Sequence, residues 1–124
     1  MPAGPTHFEL GVDDAERAKV FYSKLFGWTF HPVGGGREGW IETGGVPGGL
    51  HENDPNPGVV VYFSVPDLDH ALTTAGELGG QPGRPSAEEP GFGRFAECID
   101  DQGTRFGLHQ PPSAGTPGAA GPAR

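Results

Sequence analysis

The chain has 124 residues, enough for one domain with a modest core, and its 34% hydrophobic content is diluted by 23 Gly and 14 Pro. Sixteen acidic side chains against eight basic ones leave a formal charge of −8, which argues against a nucleic-acid partner and favours cationic ligands through the long-range field. Cys98 is the single cysteine, so no intramolecular disulfide or thiolate metal cluster can form, and no apolar run approaches the roughly 20 residues of a membrane span.

Met1 to Leu10 lacks a basic stretch followed by an apolar one, so no secretory signal is expected and the expected location is cytoplasmic. From His7 to Val12 apolar and polar residues alternate, with Phe8, Leu10 and Val12 on one side; that period of two predicts a half-buried strand. Asp13 and Asp14 offer capping oxygens, and Ala18, Phe21, Tyr22 and Leu25 follow at helical spacing up to Gly27, where a left-handed residue would end the helix. Short segments rich in aromatic and β-branched residues, Trp28 to Val33 and Trp40 to Thr43, flank the Gly34-Gly35-Gly36 turn. A weaker strand is expected from Val46 to about His51. Turn formers from Glu52 to Gly58 then make a linking loop.

The pattern starts again at Val59. Val59, Val61, Phe63 and Val65 alternate with Val60, Tyr62 and Ser64, and Asp67 caps a helix whose stripe is Leu68, Ala71, Leu72, Ala75 and Leu78. His7 to Val60 is an offset of 53, and that offset also pairs Val12 with Val65, Asp14 with Asp67, Ala18 with Ala71, Leu25 with Leu78 and Gly27 with Gly80. Strand-like segments Phe92 to Ile99 and Arg105 to His109 follow, joined by Asp100-Asp101-Gln102-Gly103. The halves end alike, Gly48-Gly49-Leu50-His51-Glu52 matching Phe106-Gly107-Leu108-His109-Gln110 at an offset of 58. The sequence therefore reads as a duplicated βαβββ unit of α+β class, with module one over about 5–53 and module two over about 58–110. Residues 111–124, without one large apolar side chain, are expected to be a disordered Pro/Gly/Ala-rich tail beyond the single domain 1–110.

The duplicated unit, together with the segments HFELGVDD, AERAKVFYSKLFGW and GRFAECIDDQGTRFGLHQ, resembles the vicinal-oxygen-chelate superfamily. Glyoxalase I, bleomycin-resistance proteins, extradiol dioxygenases and fosfomycin-resistance enzymes are members. The resemblance implies that both modules share one partly open, barrel-like sheet with helices outside and a ligand cavity inside. Strand alternation then places Phe8, Leu10, Val12, Val59, Val61, Phe63 and Val65 under the helices, with His7, Glu9, Val60, Tyr62 and Ser64 facing the cavity. By the same rule Gly49, His51, Gly107 and His109 face inward.

Metal-dependent members of the family carry ligands on the first and last strand of each module, which here implies His7, Gly49, Val60 and Gly107. Only His7 has a donor, so the usual site is missing and the lyase, isomerase and dioxygenase activities are put in doubt. A displaced site of His7, His51 and His109, with Glu9, is the alternative; it would suit one divalent metal such as Zn, Fe, Mn or Ni. Glu9, desolvated in a cavity, is also a candidate general base. Trp28, Trp40, Tyr62, Ser64 and Phe92 are candidate ligand-binding residues, Phe92 as a gate between Gly91 and Gly93.

Three functions follow: sequestration of a planar or cationic small molecule without a metal, catalysis by a displaced metal site, or an interaction module with a vestigial cavity. The expected partners are a small-molecule ligand and, by the resemblance, a second copy in a homodimer; no nucleic acid or membrane is expected.

Overall fold

The computed structural model describes residues 2–112. The chain forms β1 (Pro5–Gly11), α1 (Ala15–Phe26), β2 (Thr29–Pro32), β3 (Gly39–Glu42) and β4 (Gly48–His51). It continues as β5 (Gly58–Ser64), α2 (Leu68–Glu77), β6 (Arg94–Ile99) and β7 (Arg105–Gln110). The seven strands make one open mixed sheet in the order β2-β3-β4-β1-β5-β7-β6. The first strands of the two halves lie side by side at its centre, antiparallel, with His7 opposite Tyr62 and Glu9 opposite Val60. Each then pairs in parallel with the last strand of its own half, Glu9 with Gly49 and Tyr62 with Gly107. The architecture is α+β.

The caps behave as the sequence predicts. Asp14 accepts a hydrogen bond from the Arg17 amide and Gly27, at φ 76°, closes α1 in the left-handed conformation. Asp67 does the same for the His70 amide at the start of α2. Alternation also sorts the two faces of the sheet. Leu10 and Leu50 join Ile41 and the small helix residues Ala15 and Ala18 in one core. Leu108, Ala96 and Cys98 pack with Leu68 and Leu72 in a second core under α2.

Two departures have physical causes. The strand expected between α2 and β6 is reduced to single bridges, Gln81 with Ile99 and Glu89 with Gly93. Pro82, Pro85 and Pro90 lack the amide hydrogens that a ladder needs, so the chain follows β6 only at separate points. Ser86 supplies one of them, its amide donating to the Phe95 carbonyl and its hydroxyl accepting from the Phe95 amide. Val59 and Val61 were expected under the helices but are left uncovered, 58% and 36% exposed. Most of the expected tail lies outside the described residues.

Candidate functional site

The face opposite the helices collects the polar side chains of the two central strands. His7 is 3% exposed, and its Nε2–H donates to Glu9 Oε2 at 2.6 Å. The other oxygen, Glu9 Oε1, lies 3.4 Å from Nδ1 of His51. His51 Nε2 in turn lies 2.8 Å from Asp54 Oδ2. Imidazoles and carboxylates therefore alternate from buried His7 through Glu9 and His51 to Asp54. His7 Nδ1 is buried and has no hydrogen-bond partner among the described residues.

The backbone makes room for this chain. A Cβ on Gly49 would run into the Glu9 carboxylate, and one on Gly11 would run into His51 and Asp54. A third glycine, Gly107, lies under the ring of Tyr62, and a Cβ there would strike the ring. Glu9 and Tyr62 are equivalent under the offset of 53, and Gly49 and Gly107 under that of 58. Thus each half lays one side chain of its first strand across the bare backbone of its last. In one half that side chain is a carboxylate, and in the other a phenol.

Electrostatics follow from these contacts. Burial works against a charged His51, but the Asp54 hydrogen bond and the charges of Glu9 and Asp54 outweigh it, and its pKa is raised. The Asn56 amide, followed by the hydrogen bond from His51, holds Asp54 below the usual carboxylate range. Desolvation and then the nearby Glu9 charge push the Tyr62 phenol upward, so it stays protonated.

Two adjoining clefts open on this face. The first, of about 320 Å³, is lined by His7, Glu9, Glu38, Trp40, Glu89 and Phe92 among others. The second, of about 640 Å³, contains His51, Asp54, Tyr62, Glu97 and Arg105, and the two share Glu9 and Phe95. Trp40 stacks on His31 with ring centroids 4.3 Å apart. Phe92 stacks on His109 at 4.3 Å and meets His7 edge-on at 5.1 Å.

The sequence candidates separate accordingly. His7, Glu9, Trp40 and Phe92 come together, with Tyr62 and His51 in the adjoining cleft. Trp28 is a correction: it lies on the helix side, stacked on Tyr22 at 5.4 Å and packed against Phe8 and Phe26. It follows the helix directly, and the aromatic surface of α1 captures it. Ser64 lies near the end of β5, opposite His109, and lines neither cleft. His109 faces the predicted side but is held by Thr6 Oγ1 at 2.9 Å and by the Phe92 carbonyl at 2.6 Å. Sequence reasoning missed Asp54 and Arg105. Asp54 sits in a loop read only as turn formers, and Arg105 opens a strand read only for its apolar alternation.

The family's metal does not fit these residues. Of the four implied positions only His7 offers a donor, and Glu9 and Tyr62 overlie the two glycines. His7, His51 and His109 do not converge either, and among the described residues no group of three His, Cys, Asp or Glu is arranged to hold a metal ion. No helix among these residues is long and apolar enough to cross a membrane.

Comparison with known proteins agrees with this architecture. Residues 5–36 match the family model described as bleomycin resistance protein-like N-terminal. Proteins of Mycobacterium bovis and Mycobacterium tuberculosis carrying the provisional name glyoxylase CFP32 are 33% identical over 110 residues, 83% of this chain and 42% of theirs. The chain thus spans less than half the length of these relatives. The hypothetical protein BH1468 of Bacillus halodurans superposes with a TM-score of 0.69 at 13% identity, over 91% of this chain and 97% of that one. The Mn(II)-bound glyoxalase of Novosphingobium aromaticivorans gives 0.60 at 18% identity, over 88% of this chain and 40% of that one. The partial family match, the 33% identical relatives and the shared fold together support placing the chain in the vicinal-oxygen-chelate superfamily.

Proposed function

We propose that this protein binds a small planar cation in the cleft between β1, β3, β4 and the 89–95 segment, as a sequestering protein and without the family's metal. One observation carries the reading: Glu9, Glu38 and Glu89 line that cleft beside Trp40, Phe92 and Phe95, and among the described residues no Lys or Arg lines it. Carboxylates in a half-enclosed site attract a cation more strongly than they would in water. Flat aromatic walls add area burial and, for a cation over a ring face, a further electrostatic attraction. The cleft volume is at the lower end of the range for small-ligand sites. The −8 charge of the chain favours encounter with the same class of ligand.

The test is titration with a planar aromatic cation, an acridinium dye, beside a neutral ring of the same size. Saturable binding of the cation is expected, with quenching of Trp40 that Trp40→Phe removes and Trp28→Phe leaves. Glu9→Gln is expected to weaken binding about tenfold, the loss of roughly 1.4 kcal/mol. Equal affinity for the neutral ring would overturn the reading.

A second reading rests on the alternating chain His7, Glu9, His51, Asp54, which reaches from the cleft floor to the loop after β4. Such a chain can take a proton from a bound molecule at Glu9 and pass it outward through His51, so a metal-free proton-transfer enzyme is the alternative. The displaced-metal reading is separated from both by metal content. Purified protein exposed to Zn, Fe, Mn and Ni and then dialysed is expected to retain far less than one metal per chain by mass spectrometry. A stoichiometric metal lost in His7→Ala would instead favour a metal-dependent enzyme.

A further inference from the structure

Tyr62 carries a hydroxyl that neither core uses. Its ring is enclosed, lying on the bare backbone of Gly107 and meeting His7 and Phe95 edge-on. Among the described residues no side chain or carbonyl accepts from the hydroxyl. That oxygen is not sealed in either, because His7 Nδ1 is the side-chain atom that is both buried and unpaired among them. The hydroxyl therefore ends on the second cleft, which Tyr62 lines. Desolvation and then the Glu9 charge keep the phenol protonated, so what it presents there is an O–H donor.

The carboxylates of the same cleft are already engaged. Glu9 accepts from His7 and faces His51. Asp54 accepts the Asn56 amide on one oxygen and faces His51 with the other. Glu97 is met by Arg105 at 3.4 Å, and the other terminal nitrogen of Arg105 donates to the Asn56 carbonyl at 3.2 Å. A guest that brings a hydrogen-bond donor would compete with these partners, whereas one that brings an acceptor finds the Tyr62 hydroxyl waiting. The charge of that acceptor is also decided by the lining. Glu9, Asp54 and Glu97 outweigh Arg105 even when His51 is protonated, so an anion is repelled and an uncharged oxygen is not.

We propose that the second cleft is a subsite for an uncharged carbonyl compound, a ketone or an amide, whose oxygen accepts from the Tyr62 hydroxyl. The carbon skeleton of such a compound lies against Val60, Phe95 and Ile99. The subsite does not rest on the cation reading, because Trp40 and the two further glutamates of the first cleft do not line this one.

Ligand-observed NMR titration of the full chain and of Tyr62→Phe tests it, with acetophenone, its alkene isostere α-methylstyrene, and benzoate as probes. Wild type is expected to bind acetophenone saturably and benzoate more weakly. Tyr62→Phe keeps the ring and its packing and removes only the donor. In that variant acetophenone is expected to lose about fivefold in affinity while α-methylstyrene binds as before. The ketone-to-alkene ratio thus reads the hydroxyl apart from any general loosening of the fold. Absence of saturable ketone binding to wild type overturns the proposal, as does a ratio that Tyr62→Phe leaves unchanged, or benzoate bound more tightly than the ketone. Each of these failures leaves the cation reading standing, since acetophenone carries no charge and the acridinium titration is read at Trp40.

Discussion

Gly107 shows how a single missing carbon shapes the site. The Tyr62 ring lies directly on its backbone, and Tyr62 is 3% exposed, so the ring has little freedom to withdraw. Gly107→Ala is therefore expected to destabilise the fold by about 1–3 kcal/mol through overpacking, read as a lower urea midpoint with an unchanged slope. Gly49→Ala meets the end of a flexible Glu9 instead, and Glu9 is expected to swing away at smaller cost. The loss there falls on the His7–Glu9 hydrogen bond and on cation binding. At this scale the sequence disclosed which side of a strand a residue faces, and the structure adds which way its side chain turns. His7 and Glu9 were placed by alternation alone. His109 was also placed on the correct face, but its ring direction depends on Thr6 and on the Phe92 carbonyl, which are 103 and 17 residues away. No local pattern encodes such contacts, and none encodes the recruitment of Asp54 from the linking loop.

At the scale of the element, neighbours on one strand separate stability from site chemistry. Leu10 is 3% exposed in the core under α1, and Leu10→Asp is expected to cost roughly 3 to 5 kcal/mol as an uncompensated buried charge, enough to unfold the domain. Glu9→Gln, one residue away on the other face, is expected to leave the thermal midpoint within a few degrees while it weakens binding. Thermal unfolding of both variants checks the pair; the reverse order of damage would mean that the faces are exchanged. Both helices, their caps and the strand faces were legible because each rests on residues within one or two turns of the chain. The repeat also implies a strand between α2 and β6, and that one does not form as a ladder, because Pro82, Pro85 and Pro90 interrupt it. Trp28 was misplaced for a related reason: a residue between a helix and a strand belongs to neither period.

Across the molecule, His51 couples the fold and the cleft to pH in opposite directions. Its pKa is raised in the folded chain because Asp54 and Glu9 together outweigh burial. The stabilisation from its charged form is then full below the ordinary histidine value of about 6.5 and is lost as pH rises through the raised folded value. A protonated ring beside Glu9 also offsets the carboxylate that the proposed cation needs. Affinity for the acridinium dye is accordingly expected to fall several-fold as pH drops from about 8.5 to about 6. His51→Gln is expected to flatten that dependence, and titrations of both proteins at several pH values decide it.

The pairing of Glu9 across Gly49 with Tyr62 across Gly107 has a consequence for how a guest lies. A cradle built from two identical halves would accept an elongated molecule in either of two reversed poses. Here one end of the floor is anionic and the other a neutral ring, so the two poses differ in energy and the cradle acquires a heading. A guest long enough to reach from the cleft of Glu9 into the adjoining one over Tyr62, with its charge at one tip, should settle with that tip toward β4 and its uncharged end toward β7.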